Sequence, residues 1–454
     1  MARIVIIGAG LTGISAAYHL EKKQCFEYEL FEKEAIYGGL CRSITQDGFT
    51  FDYTGHLLHA SDDYFYGLIK NLVGLEQLNV IQRRSFIYSQ NRHTHYPFQV
   101  NLHGLPHETI VECIIGYINR PQIAAPTTFR DWVLTTFGSG LAKHFFFPYQ
   151  QKIFAHKVNH LTAQWTQRFV PSTSLKQILS GALSDPSDEQ AIGYNARFLY
   201  PKRGGIFTWV SKLAKQLLGT IHTGYNVRAV NMSSKTVTFA NGHIEPYDVL
   251  ISTMPLDRLL SLLHEKASTH LAPGRSKLQC NQVVNLNIGV NRPDLSKKHW
   301  VYFPEKQYPF YRVGFWHNFS SAMVPSGCSS LYGEFAFKNR SKRWVNGMIK
   351  QSMNTIKKLY GINQSDVITE KIISIPHAYV TYDQWREQNL PSLLQRLEEN
   401  NIYSIGRYGA WKYASMQEAV LDGKAVADQA IARLETSPFL VAIPTPTKGI
   451  SKHE

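Results

Sequence analysis

Gly8, Gly10 and Gly13 stand in a GxGxxG spacing, and Glu32 follows Gly13 by 19 residues. In such a pattern the first glycine permits a tight turn and the second lets the backbone approach a pyrophosphate. The third lets a helix pack closely on a strand, and the acid accepts hydrogen bonds from a ribose hydroxyl. A dinucleotide, its diphosphate on a helix N-terminus, is the ligand these residues fit. A second glycine pair follows in the segment IYGGLCRSITQDGFTFDYTGHLLH, which carries Gly38, Gly39, Arg42, Gly55 and His56.

Other chemistries find less support. His56/His59 and His93/His95 are closely spaced, but neither pair has a third ligand within reach along the chain, so hydrogen-bonding or surface roles are expected and no metal. There is no GxSxG elbow and no cysteine in a nucleophile context. The cysteines at 25, 41, 113, 280 and 328 are odd in number and form no CxxC pair, which predicts unpaired thiols and a reducing, cytoplasmic setting. With 48 basic and 34 acidic residues the net charge is +14, which calls for an anionic partner. The basic residues are dispersed, which argues against nucleic acid. The apolar run Ile4 to Ile7 is too short for a signal peptide, and no stretch approaches the ~18 apolar residues of a spanning helix. Peripheral contact with a membrane surface stays open, as does the oligomeric state.

The elements that must position these groups can be read from periodicity. The 454 residues suggest about three structural units. Strand RIVII, turn GAGLTG, helix ISAAYHLEKK and strand YELFE form a βαβ dinucleotide unit. From 105 to 190 apolar residues recur at helical spacing; strands return from about 195, with a hairpin turning at Asn241-Gly242. Residues 283 to 340 alternate in period two, which predicts a second, largely antiparallel sheet. The expected fold class is α/β: a Rossmann-like, discontinuous cofactor domain (1–85, 190–265 and 396–435), a helical substrate domain (105–190) and an antiparallel-sheet substrate domain (280–395). A Pro- and Thr-rich tail, 437–454, is expected to be loosely ordered.

Several blocks, in order, carry a resemblance: GAGLTG, GGL with DGFTFDYTGH, HYPFQVNLHGLP, TFRDWVLTTFGSGLAKHFFFPYQQKIF, YNARFLYPKRGG, WVYFPEKQYPFYR, AYVTYD and GRYGAWKY. Together they resemble the UDP-galactopyranose mutases, especially the eukaryotic-type branch, within the FAD-dependent amine oxidase/protoporphyrinogen oxidase-like superfamily. The resemblance implies FAD, with Gly38, Gly39 and Arg42 along its phosphates, His56 after Gly55 facing the flavin, and Arg407 with Gln417 against it. It implies ring contraction without net redox change, in which the N5 of reduced FAD is the nucleophile toward the anomeric carbon of a nucleotide sugar. NAD(P)H is compatible as the external reductant.

On the substrate side the resemblance assigns Arg312, Tyr379 and Tyr413 to the diphosphate, Tyr96 and Gln99 to the uridine, Trp300 and Tyr302 to the sugar side, and Asn195 to the sugar hydroxyls. A guanidinium fork suits phosphate oxygens better than an ammonium does. The chain also departs from the family. Gln150 stands where the family has Asn, Phe154 where it stacks a tryptophan, and Arg168 falls one place early with Phe169 at the matching position. Nucleotide and sugar therefore stay open. Two alternatives stand beside the mutase reading: an FAD-dependent oxidoreductase of the amine oxidase/protoporphyrinogen oxidase type, and a flavin-stabilised protein that binds a nucleotide sugar without turnover.

Overall fold

The computed structural model describes residues 3–166, 170–184, 196–264 and 272–436, apart from the side chains of 272, 273 and 275. At its centre lies a five-stranded sheet whose pairings are all parallel, in the order Ile402–Ser404, Val249–Ser252, Ile4–Ile7, Tyr28–Glu32, Ile221–Thr223. Ile4–Ile7 is continuously apolar and buried, as a strand covered on both faces must be. Helix Leu11–Lys22 follows it and packs on the long C-terminal helix Met416–Glu435, where the Ser15 hydroxyl donates to the Val420 carbonyl at 2.8 Å. The crossing is close because residue 423 is glycine: a Cβ there would fall 2.6 Å from that of Ser15. The predicted α/β architecture, a Rossmann-like parallel sheet with a second, largely antiparallel one, is the one observed.

The second sheet has seven strands, in the order Val367–Ile375, Gln282–Val290, Ser329–Phe337, Arg312–Phe315, Trp300–Tyr302, Ser85–Ser89, Arg92–His95. It is antiparallel except where Trp300–Tyr302 runs alongside Ser85–Ser89. This extends the expected 280–395 unit. Strand Ser85–Ser89 alternates between buried and half-buried positions, and its two edges are paired by Trp300–Tyr302 and Arg92–His95. Strand Arg197–Pro201 pairs with Leu78–Gln82. The Asn241-Gly242 hairpin is present between Thr236–Phe239 and Ile244–Pro246, with Gly242 at φ +87°. Helices His107–Ile118, Phe129–Leu141, Phe147–Phe154 and Leu175–Leu183 carry their own apolar core around Phe98, Phe137 and Phe145. No helix among the described residues is long and apolar enough to cross a membrane. All five cysteines are free thiols. The tail from 437 lies outside the described residues.

Candidate functional site

A cleft of about 1110 Å³ runs between the carboxyl ends of the parallel strands and the inner face of the seven-stranded sheet. That is where a doubly wound sheet offers a crevice for ligand. At one end the backbone is stripped to glycine. A Cβ at Gly13 would fall 2.0 Å from the Gly8 carbonyl oxygen, so only glycine lets the helix sit this close to its strand. Gly10 and Gly39 approach so nearly that a Cβ on Gly39 would be 3.2 Å from the Gly10 Cα. Helix Leu11–Lys22 begins at Gly10 without a side-chain cap or an acid in its first turn, leaving its N–H groups for an anion. Glu32 is buried at the rim, where one carboxylate oxygen accepts from the Ala9 N–H at 2.9 Å and the other from the Glu34 N–H at 3.0 Å. Arg42 donates to the Gly39 carbonyl and lies 4.7 Å from the Tyr53 ring.

Gly55, His56 and Arg407 line the middle of the cleft. His56 Nδ1 donates to the Thr54 carbonyl at 3.1 Å. Burial, reinforced by the Arg407 and Arg312 charges, draws its imidazole down to about 4, so it is neutral at neutral pH. Arg407 donates to the carbonyls of Ala414 and Ala378 at 2.9 and 3.2 Å, and its guanidinium lies 4.6 Å from the Tyr413 ring and 5.5 Å from that of Tyr379. Those two rings are stacked, 6.3 Å apart at 10°. No carboxylate among the described residues pairs with Arg407.

Arg312, Tyr302 and Trp300 border the same cleft from the second sheet. Arg312 is paired with the wholly buried Glu334 through Nε and Nη2, which leaves Nη1 without a described partner. Burial pushes the Tyr379 phenol up to about 12, so it remains a donor. Six cations line the cleft, Lys33, Arg42, Arg258, Arg312, Lys371 and Arg407, against two carboxylates, Glu32 and Glu34. The charge is that of an anion-binding crevice.

Not every expected residue reaches it. Tyr96 and Phe154 lie one layer behind, with ring centres 5.3 Å from Tyr302 and 6.0 Å from Tyr379. Gln99 is 1% exposed and donates to the Pro171 carbonyl, and Gln150 is also buried; neither lines the cleft. Gln417 does not line it either. Its amide oxygen accepts from the backbone N–H groups of Ser61 and Asp62, pinning that loop, while its neighbours Met416 and Ala419 face the cleft. Arg168 and Asn195 lie outside the described residues. Sequence reasoning passed over Glu334, Tyr311 and Tyr332 on the sheet, Thr253 beneath Gly8, and Asp52. The Asp52 carboxylate is fully buried and accepts from Ser43, Tyr200 and the Ile206 N–H.

The family model described as flavin containing amine oxidoreductase matches residues 11–431. The chain belongs to that family. Membership in the flavin containing amine oxidoreductases implies FAD, and the glycine cradle, uncapped helix and Glu32 are the residues fitted to hold its phosphates and a ribose. Among solved structures, reduced UDP-galactopyranose mutase superposes with a TM-score of 0.89 at 28% identity, covering 95% of this chain and 94% of the other. A putative protoporphyrinogen oxidase from Exiguobacterium sp. 255-15 superposes at 0.73 over 96% of this chain and 99% of its own, and at 16% identity shows the fold alone. Among curated sequences, a 4,4'-diapolycopene oxygenase from Methylomonas sp is 26% identical over 386 residues, 72% of this chain and 74% of the relative.

Proposed function

We propose that the protein is a flavin-dependent isomerase that interconverts the pyranose and furanose forms of a nucleotide sugar. The observation that carries this reading is the convergence of Arg312, Tyr379 and Tyr413 on one cleft beside Arg407, which has no carboxylate partner among the described residues. A cleft that removed hydride from an apolar substrate would have no use for such a clamp. The likeness to reduced UDP-galactopyranose mutase, at 28% identity over nearly the whole chain, supports it.

In this reading the Nη1 group of Arg312 holds the diphosphate, the Tyr379 and Tyr413 hydroxyls donate to its oxygens, and Arg407 lies between those two rings and the flavin. These groups are fixed before the diphosphate departs, so they stabilise the charge that grows on it at no cost of reorganisation. Tyr302 bounds the sugar. Bound in its reduced form, FAD supplies a nucleophilic N5 for the anomeric carbon. His56, neutral and tied to Thr54, adds no positive charge beside that centre. NAD(P)H as reductant and a cytoplasmic setting belong to the same reading.

The sequence relatives favour a second reading, an FAD-dependent oxidoreductase. Incubating dithionite-reduced holoprotein with UDP-galactofuranose, and separating the products by chromatography, decides between them. Pyranose formed only with reduced flavin supports the isomerase. Absence of product, together with oxygen-dependent turnover of an amine or a porphyrinogen, sinks it.

A further inference from the structure

The hydroxyl of Tyr332 is buried, lines the cleft and has no hydrogen-bond partner among the described residues. An unmade hydrogen bond at a buried oxygen costs about 1–3 kcal/mol, so its persistence asks for a ligand atom. The phenol is also deliberately housed. Its ring lies across from Gly314 on the neighbouring strand, where a Cβ would be 2.2 Å from Tyr332 Cζ, and its oxygen passes Gly55, where a Cβ would be 2.6 Å away. Trp316 packs against the ring with centroids 4.4 Å apart at a 35° tilt, and is itself pinned by its indole N–H to Asn287 Oδ1 at 2.9 Å. Two missing side chains and one fixed indole thus hold the hydroxyl in a single place.

That place can be located relative to the cofactor. The phosphate cradle lies at Gly10 and Gly39, and the ribose acid Glu32 marks the adenosine side. Gly406 touches Thr12 in the first turn of the phosphate-binding helix, a Cβ there falling 2.7 Å from its hydroxyl. Arg407 comes next, then His56 and Gly55, then Tyr332. A flavin whose adenosine runs toward Glu32 must send its ring system along this second path. We propose that Tyr332 is a hydrogen-bond donor to the flavin ring system. Burial pushes its phenol far above the ordinary tyrosine range, so it carries its proton at any physiological pH. The proposal rests on membership in the flavin family and is independent of which reaction the enzyme performs.

Tyr332→Phe tests it in apoprotein and holoprotein. The apoprotein should melt no lower than the wild type, because no protein hydrogen bond is lost. FAD affinity should fall about tenfold, and the reduced flavin should lose about tenfold in relative stability, a midpoint potential about 30 mV more negative for this two-electron couple. The visible absorption bands of the bound flavin should shift as well. Gly55→Ala is a second variant that displaces the same oxygen with the phenol retained, and should move the potential in the same direction. Unchanged affinity, potential and spectrum in Tyr332→Phe overturn the proposal, whether or not the KM for a substrate changes.

Discussion

Arg312 and Glu334 face one another across neighbouring antiparallel strands and close a two-point ion pair, Nε to Oε2 at 2.6 Å and Nη2 to Oε1 at 3.0 Å. The carboxylate is wholly buried, so the pair aims the remaining edge of the guanidinium into the cleft and also makes the arginine indispensable to the fold. Arg312→Ala should therefore cost about 3–5 kcal/mol in chemical denaturation, because it strands a buried charge. Arg312→Met/Glu334→Leu should recover most of that stability and still bind FAD. Titration calorimetry with UDP should show no binding to either variant; wild-type affinity in the double variant would remove Arg312 from the diphosphate clamp.

Gly10 and Gly13 should respond oppositely to the same methyl group. A Cβ on Gly10 meets no atom closer than 3.9 Å, and its φ of −72° suits any residue. Gly10→Ala should leave the apoprotein within about 1 kcal/mol of wild type and yet reject FAD, since the methyl enters the phosphate path. Gly13→Ala drives its Cβ to within 2.0 Å of the Gly8 carbonyl and should lower the melting temperature of the apoprotein itself. Equal melting temperatures for the two variants would contradict this geometry.

Arg407 spends its charge on carbonyls and tyrosine rings. Removing a cation that has no carboxylate partner among the described residues should relieve the apoprotein of a desolvation cost, so Arg407→Gln, which can still donate to the Ala378 and Ala414 carbonyls, should melt at or above the wild-type temperature. Its affinity for FAD should fall at least tenfold. In the wild type that affinity should decline as salt rises, and the variant should lose much of the dependence. Fluorescence titration at two ionic strengths measures both effects.

Stability should rise with pH between about 4 and 6.5. Burial pulls His56, His59 and His299 from 6.5 to about 4 in the folded protein, so across this window the unfolded chain binds more protons and folding weakens as pH falls. Asp52 acts in the other sense. Burial lifts it from 3.8 to about 6, so its contribution weakens as pH rises through the same range. Three imidazoles outweigh one carboxyl, and the urea midpoint should be higher at pH 7 than at pH 4.5. Asp52→Asn should steepen the slope; a flatter slope would reverse the assigned sign.

What could be read from the sequence was what is local. Gly8, Gly10, Gly13 and Glu32 lie within one βαβ unit, where spacing along the chain is also spacing in space, and the structure sets all four around the crevice or just beneath it. Arg312 could be singled out, but its partner could not. Glu334 and Tyr332 sit in a segment whose alternation places them on one face, yet the register that sets them opposite Arg312 and Gly314 depends on pairing between residues 22 and 18 positions apart. Gln417 fails for a helical reason. One residue turns a helix by ~100°, enough to put Met416 in the cleft and Gln417 under the 61–62 loop. Strands Ser85–Ser89 and Arg92–His95 were not read as strands, and their membership in a sheet built mostly from residues beyond 280 depends on a pairing that no local pattern carries.

The central parallel sheet has a consequence for the order of synthesis. Its strand Ile4–Ile7 is synthesised long before the edge strand Ile402–Ser404 and the helix that covers Leu11–Lys22. At roughly 5–20 residues per second, the apolar face of that first helix waits roughly 20–80 s for its cover. Arg407 and Met416, which complete the flavin end of the crevice, are missing throughout that interval. The apolar face of the first helix has to be shielded over that interval, and flavin capture cannot precede the synthesis of Arg407 and Met416.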